Sequence, residues 1–272
     1  MARVRRPDAV LMLLVAATLV LAGCGTGQQN ARTGSVRKVQ QVAASYDVKG
    51  DRQARKRTKF RESLGAAVDQ LREGRLDEAD RSARTALKLQ PDSPDAYTVL
   101  AAIAGRRGQV EEAGRLYRRA TEMAPGQGAV LNNYGAWLCG NGYPAEALVW
   151  FDRALADPQY STPAAALANA GDCALDAGQG ARAQRDLRRA LELDPVNAVA
   201  LQSMARLAYS AGRHFEARAF SQRRLAAAPA TRSVLQLAIH IEEGLGDKAA
   251  ASRYQQRLRE EFPHDAAMNA RD

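Results

Sequence analysis

Along its apolar and polar positions the chain repeats every 34 residues. Gly74 recurs as Gly108 and Gly142, Ala79 as Ala113 and Ala147, Ala86 as Ala120 and Ala154, and Pro91 as Pro125. After a two-residue insertion around Tyr160 to Pro163 the phase resumes with Gly178, Ala183, Ala190 and Pro195. It continues with Gly212, Ala217 and Pro229, then Gly246, Ala251 and Pro263. A period of this length is the signature of a stacked array. Each unit reads as two amphipathic helices. The glycine falls between them, where a helix stop needs positive φ, and the proline marks the boundary before the next helix. The small residues Ala67, Ala101, Gly135, Gly171 and Ala205 on the first helices, and the Ala79 series on the second, let paired axes approach toward the short end of the usual 8–10 Å. Tyr97, Leu100, Tyr134, Phe151 and Leu187 fill the seam beside them. No single pair can bury its apolar face alone, so the units must stack. The pattern therefore predicts an all-α solenoid of about six helix pairs over residues 60–265, with 266–272 as a tail.

These markers resemble the tetratricopeptide repeat (TPR), and Ala190-Leu191-Glu192-Leu193-Asp194-Pro195 is close to that family's repeat ending. The resemblance implies a right-handed superhelix whose first helices line a concave groove, with the second, fifth, ninth and twelfth repeat positions facing it. Those positions hold Arg61, Leu64, Val68 and Leu71 in the first repeat, and Ala129, Asn132, Ala136 and Cys139 in the third. They include Ala168 and Asp172 in the fourth, and Gln202, Arg206 and Tyr209 in the fifth. The groove is thus expected to be apolar toward its N-terminal end and polar toward its C-terminal end, which suits an amphipathic or extended apolar ligand segment. Leu64 and Val68 stand where related chaperone adaptors carry a clamp for acidic tails, so that ligand class is not expected. The last two repeats depart from the pattern. Ser221 and Arg224 replace an aromatic and an alanine, and Ile239 replaces a small residue, as terminal caps often do.

Before the array the composition changes. Arg3, Arg5 and Arg6 precede an apolar run from Ala9 to Ala22, shorter than the roughly 20 residues that span a bilayer. The run ends in Leu21-Ala22-Gly23-Cys24. This resembles the lipobox of bacterial lipoproteins, which implies a signal peptide over 1–23, cleavage before Cys24 and acylation of that cysteine. Gly25, in place of an aspartate, implies passage to the outer membrane. Residues 24–59 are rich in Gln, Arg, Lys, Ser and Gly without a sustained apolar period, and are expected to be a basic flexible tether reaching roughly 30–35 Å. The net charge of +9 lies here. Residues 1–23 contribute +2 and residues 24–59 contribute +7, so residues 60–272 balance to zero. A neutral array behind an export signal argues against nucleic-acid binding, despite the basic isoelectric point.

With Cys24 acylated, Cys139 and Cys173 are the remaining cysteines. They fall on the first helices of adjacent repeats at the twelfth and tenth positions, so they are expected either to pair or to lie as two buried thiols. Of fifteen aromatic residues, Tyr134, Trp137, Tyr143, Trp150, Phe151 and Tyr160 cluster in the third repeat. Tyr134 and Phe151 read as core, whereas Tyr143 and Tyr160 read as surface candidates. His214, His240 and His264 have no metal-ligand spacing, and no nucleophile elbow, phosphate loop or zinc-protease motif occurs. No catalytic residue, metal site or cofactor is expected.

The lipobox, the six repeats and the segments Asn132-Asn133-Tyr134-Gly135-Ala136-Trp137-Leu138-Cys139 and Asn169-Ala170-Gly171-Asp172-Cys173 together resemble the type IV pilus biogenesis lipoprotein family PilF/PilW. That resemblance implies a pilotin, a non-enzymatic assembly factor that brings a PilQ-like secretin to the periplasmic face of the outer membrane. A BamD-like lipoprotein of the β-barrel assembly machinery and a lipoprotein regulator of a cell-wall synthase are the alternatives.

Overall fold

The computed structural model describes residues 52–263, and within them every regular element is an α-helix. The helices are α1 (Arg52–Arg72), α2 (Leu76–Leu89), α3 (Pro94–Arg106), α4 (Val110–Met123), α5 (Gly128–Gly140) and α6 (Pro144–Leu155). They continue as α7 (Pro163–Asp176), α8 (Gly180–Leu193), α9 (Ala198–Ser210), α10 (His214–Ala227), α11 (Arg232–Gly244) and α12 (Lys248–Glu261). They pack as six successive hairpins, each pair docking on the next. Neighbouring odd-numbered helices touch one another, whereas neighbouring even-numbered helices do not. The array therefore curves with α1, α3, α5, α7, α9 and α11 on its inner side.

The turn inside each hairpin follows from one glycine. Gly74 has φ +76° and its N–H donates to Leu71 O, while Arg75 N–H reaches back to Gln70 O at 2.9 Å. This closes the first helix by a six-to-one bond that satisfies an orphan carbonyl. Gly108, Gly142, Gly178, Gly212 and Gly246 repeat the conformation, as the sequence period predicts. The alanine series does what close approach requires: Ala79, Ala113, Ala147, Ala183 and Ala217 have no exposed surface. Larger side chains fill the seam, with Phe151 and Leu187 fully buried, each contributing roughly 1.5–3 kcal/mol by removal from water. Arg224, which stands where an alanine is usual, is buried, and Nη1 donates to Ala228 O at 3.1 Å and Pro229 O at 3.3 Å.

Two sequence expectations change here. Residues 52–59, assigned to the tether, form the first two turns of α1. Seven of these eight residues are exposed, so they do bury little. Burial is not needed to extend a helix already nucleated by docked turns, because propagation fixes one residue per hydrogen bond and Arg, Lys, Gln and Ala are strong helix formers. Tyr160, expected at the surface, is half-buried over Gly128, where an added Cβ would lie 2.7 Å from its Cγ. Asp157 fixes that insertion. Its carboxylate accepts from Gly128 N at 2.8 Å and Gln159 N at 2.9 Å, and these two bonds hold its pKa below the ordinary carboxylate range. Cys24 and the tail 266–272 lie outside the described residues.

Adjacent repeats are also tied by arginines that the apolar pattern does not reveal. Arg153 and Arg223 each donate to the proline carbonyl 28 residues earlier, Pro125 at 3.2 Å and Pro195 at 3.0 Å. Arg107 pairs with Asp77 at 2.5 Å and Arg182 with Asp152 at 2.6 Å.

Candidate partner-binding groove

The inner surface is built from the exposed sides of α1, α3, α5, α7, α9 and α11. At its N-terminal end, Leu64 and Val68 sit one turn apart on α1 and stay half-exposed. Leu71, expected beside them, instead packs against Ala67, Ala79, Ala83, Leu100 and Ile103. It lies in the last turn of α1, where the neighbouring hairpin closes over it, and so belongs to the seam. In the middle of the groove the exposed positions are Ala129, Asn133 and Ala136 on α5. Their short side chains let a partner backbone come close.

Asn132 is a second correction. It is 8% exposed, and its Oδ1 accepts from Asn169 Nδ2 at 3.1 Å. The two amides join repeats 3 and 4 instead of facing a ligand, which satisfies polar groups that would be costly to bury alone. Toward the C-terminal end the groove is polar, as expected, but its charges are engaged internally. Asp172 accepts from Arg206 Nη1 at 2.7 Å and from the Ser203 hydroxyl, and Arg206 Nη2 donates to Asp176 at 2.8 Å. Burial works against the Arg206 cation. Its bonds to Asp176 and Asp172 and their charges outweigh that, so its pKa is raised. Gln202 donates to Ser233 Oγ at 3.3 Å. Tyr209 stands between His214 and His240, with ring centres 5.4 and 6.4 Å away. Asp176 and Ser233 carry no mark in the sequence, because each gains its role from a partner about one repeat away.

Cys139 of α5 and Cys173 of α7 are joined as a disulfide with Cα atoms 5.9 Å apart, inside the usual range for such a bond. The bond ties two neighbouring groove helices across the centre of the array. Closing a loop of this length contributes about 2–4 kcal/mol. Reduction should therefore lower the melting temperature by roughly 5–15 °C for an array of this size. Differential scanning fluorimetry with and without reductant, alongside alkylation of both thiols, checks this. An unchanged melting curve despite full alkylation would contradict it.

The aromatic cluster is mostly internal. Tyr117, Tyr134, Trp137 and Trp150 form one cluster, with Tyr134 stacked on Trp137, Trp150 edge-on to Tyr134 at 4.8 Å and Arg153 lying 4.3 Å over Trp150. Burial pushes the Tyr117 phenol up to about 12. Tyr143 differs: it is 55% exposed at the N-cap of α6, in the turn between α5 and α6. Among the described residues no group of three or more His, Cys, Asp or Glu is placed to hold a metal, and no helix is long and apolar enough to cross a membrane.

Six glycine-turned helix pairs around an open inner groove define a tetratricopeptide scaffold, and the tetratricopeptide repeat family profile matches residues 64–128. Scaffolds of this kind bind other proteins, and the chain is an interaction scaffold, not an enzyme. Its relatives are more specific. The crystal structure of PilW, a widely conserved type IV pilus biogenesis factor, is 31% identical, with a TM-score of 0.66 over 75% of this chain and 94% of that one. The structure of Pseudomonas aeruginosa PilF is 24% identical, with a TM-score of 0.65 over 76% of this chain and 94% of that one. The curated type IV pilus assembly protein PilF of Pseudomonas aeruginosa is 26% identical over 219 residues, 79% of this chain and 87% of that protein. The chain belongs to this PilF/PilW family of tetratricopeptide type IV pilus biogenesis proteins.

Proposed function

We propose that the protein is a lipid-anchored pilotin of the outer membrane, which holds a PilQ-like secretin protomer and supports its assembly for a type IV pilus. The observation that carries this is the likeness to PilW over almost all of that protein's length, combined with the Leu21-Ala22-Gly23-Cys24 lipobox. No covalent chemistry is required. An acyl chain on Cys24 commits the molecule to a membrane, each buried CH₂ contributing about 0.8 kcal/mol. Tethering then raises the local concentration of a captured protomer beside that membrane.

Leu64 and Val68 are the groove side chains best suited to capture, because they are apolar, half-exposed and outside the packed seam. Tyr143 supplies an exposed aromatic anchor in the turn before α6. Asp172 and Arg206 hold the C-terminal half of the groove in shape through their ion pair, and Gln202 through its bond to Ser233. Replacing Leu64 and Val68 with glutamate should weaken secretin capture at least about ten-fold, as the loss of central apolar anchors does at other interfaces. The melting temperature should move by only a few degrees, since surface changes away from the core are small. Co-purification from detergent-solubilised membranes, using the acylated protein, tests both. If the unmodified protein retains no secretin, the pilotin role is wrong. If the double variant retains it fully, the groove is the wrong surface.

A further inference from the structure

We infer that the basic stripe at the start of α1 lies against an anionic phospholipid surface and sets how the scaffold is presented to the membrane. The stripe consists of Arg52, Arg55, Lys56 and Lys59, at positions i, i+3, i+4 and i+7 of one helix, so the four side chains share a face. All four are exposed. Arg57 and Arg61 add two further exposed cations on other sides of the same turns, and no carboxylate occurs from Arg52 to Arg61.

Three features set this segment apart. Many arginines elsewhere in the array are paired, among them Arg75 with Glu73 and Glu78, Arg107 with Asp77, Arg182 with Asp152, Arg206 with Asp172 and Asp176, and Arg213 with Glu216. The four stripe residues form no ion pair among the described residues. Lys56 lines a shallow cavity that also holds Asp92 and Asp95, yet bonds to neither. The second feature is placement. The first turns of a helix carry the positive end of its dipole, where cations are unfavourable, and like charges three and four residues apart repel. α1 has no acidic residue in its first turn. These charges stand against local helix electrostatics, so an external anionic surface is what would relieve them. Third, the remainder of the chain from residue 60 is neutral, and its potential does not compete.

The occupant follows from position as well as from charge, and here the inference rests on the lipid-anchor reading. Arg52 lies 28 positions after Cys24. A chain segment of that length spans at most about 100 Å, so an acylated Cys24 keeps the stripe tethered within reach of a bilayer. Cations within roughly 8 Å of an anionic surface feel its field at physiological salt. Four of them on one rigid helix face engage together, without separate ordering of each.

The test uses the acylated full-length protein bound to vesicles of pure phosphatidylcholine or of phosphatidylcholine with 30 mol% phosphatidylglycerol (an estimate of roughly the charge density of an anionic leaflet). Lysine acylation by a water-soluble reagent is followed by mass spectrometry. Lys56 and Lys59 should react at least about five-fold more slowly on the anionic vesicles, an effect lost at high salt. Lys88 and Lys248, both exposed on other helices, should react equally on both. R52Q/R55Q should restore most of the Lys56 and Lys59 reactivity on the anionic vesicles. Equal reactivity on both vesicle types overturns the proposal, as does uniform slowing of all four lysines. Shielding of Lys56 and Lys59 on neutral vesicles, produced only by adding a membrane-protein extract, also overturns it in favour of an acidic protein partner. Failure of the anchor itself is read separately, as loss of the protein from the neutral vesicles on flotation. In that case excess anionic vesicles still decide the lysine result.

Discussion

Replacing Gly171 with valine should destabilise the array by about 3 kcal/mol or more, at the upper end of what overpacking a core costs. Gly171 lies on α7 against α8, and a Cβ there would meet Leu187 Cγ at 2.5 Å and the Ala183 carbonyl oxygen at 3.2 Å. Leu187 is fully buried and cannot swing aside, and the carbonyl belongs to the α8 backbone. The helices must therefore separate, which opens the seam of repeat 4 next to the disulfide at Cys173. The melting temperature should fall by roughly 6–12 °C. Gly65 is the matched control. It sits within α1 with nothing within 4 Å of an added Cβ. Gly65→Ala should stabilise the protein by about 0.5–1 kcal/mol, because alanine is the better helix former. Thermal unfolding of the two variants checks the pair. A harmless Gly171→Val would mean that the hairpins are not packed through small residues.

Replacing Cys24 with serine should move the protein from the membrane fraction to the soluble fraction. The lipobox cysteine is the only attachment point the sequence offers in that region, and one or more acyl chains there would account for membrane retention. The basic face of α1 adds attraction but is screened by salt, so it should not hold the molecule alone in a salt-washed membrane. Fractionation with palmitate labelling measures this. A variant that still sediments with the outer membrane and still incorporates label would remove lipid anchoring from the account.

The hairpin architecture was legible because backbone geometry demands particular residues. Gly74 and its five counterparts supply positive φ, and the alanine series supplies close approach, so both recur at a fixed period in sequence. The groove was less legible. Leu64 and Val68 stay half-exposed on α1, but Asn132 turns to Asn169 of the next repeat and Leu71 turns into the seam. Each of those choices depends on a neighbour a full repeat away, which periodicity along the chain cannot specify. The same holds for Arg206, whose two aspartate partners lie on α7. The start of α1 is hidden from the sequence pattern for a different reason: composition reports whether a segment can bury apolar surface, not whether it can prolong a helix anchored elsewhere. The insertion was visible as a phase slip, yet Tyr160 closing over Gly128 is a tertiary event.

The central claim is that this scaffold supports assembly of a type IV pilus secretin at the outer membrane. The most direct measurement is the amount of heat-resistant secretin multimer in outer-membrane fractions of a strain lacking the gene. The account predicts that the multimer is strongly reduced or mislocalised. The unmodified gene should restore it, whereas a copy carrying glutamate at Leu64 and Val68 should not. Undiminished multimers at their normal location, with intact pili, would contradict it.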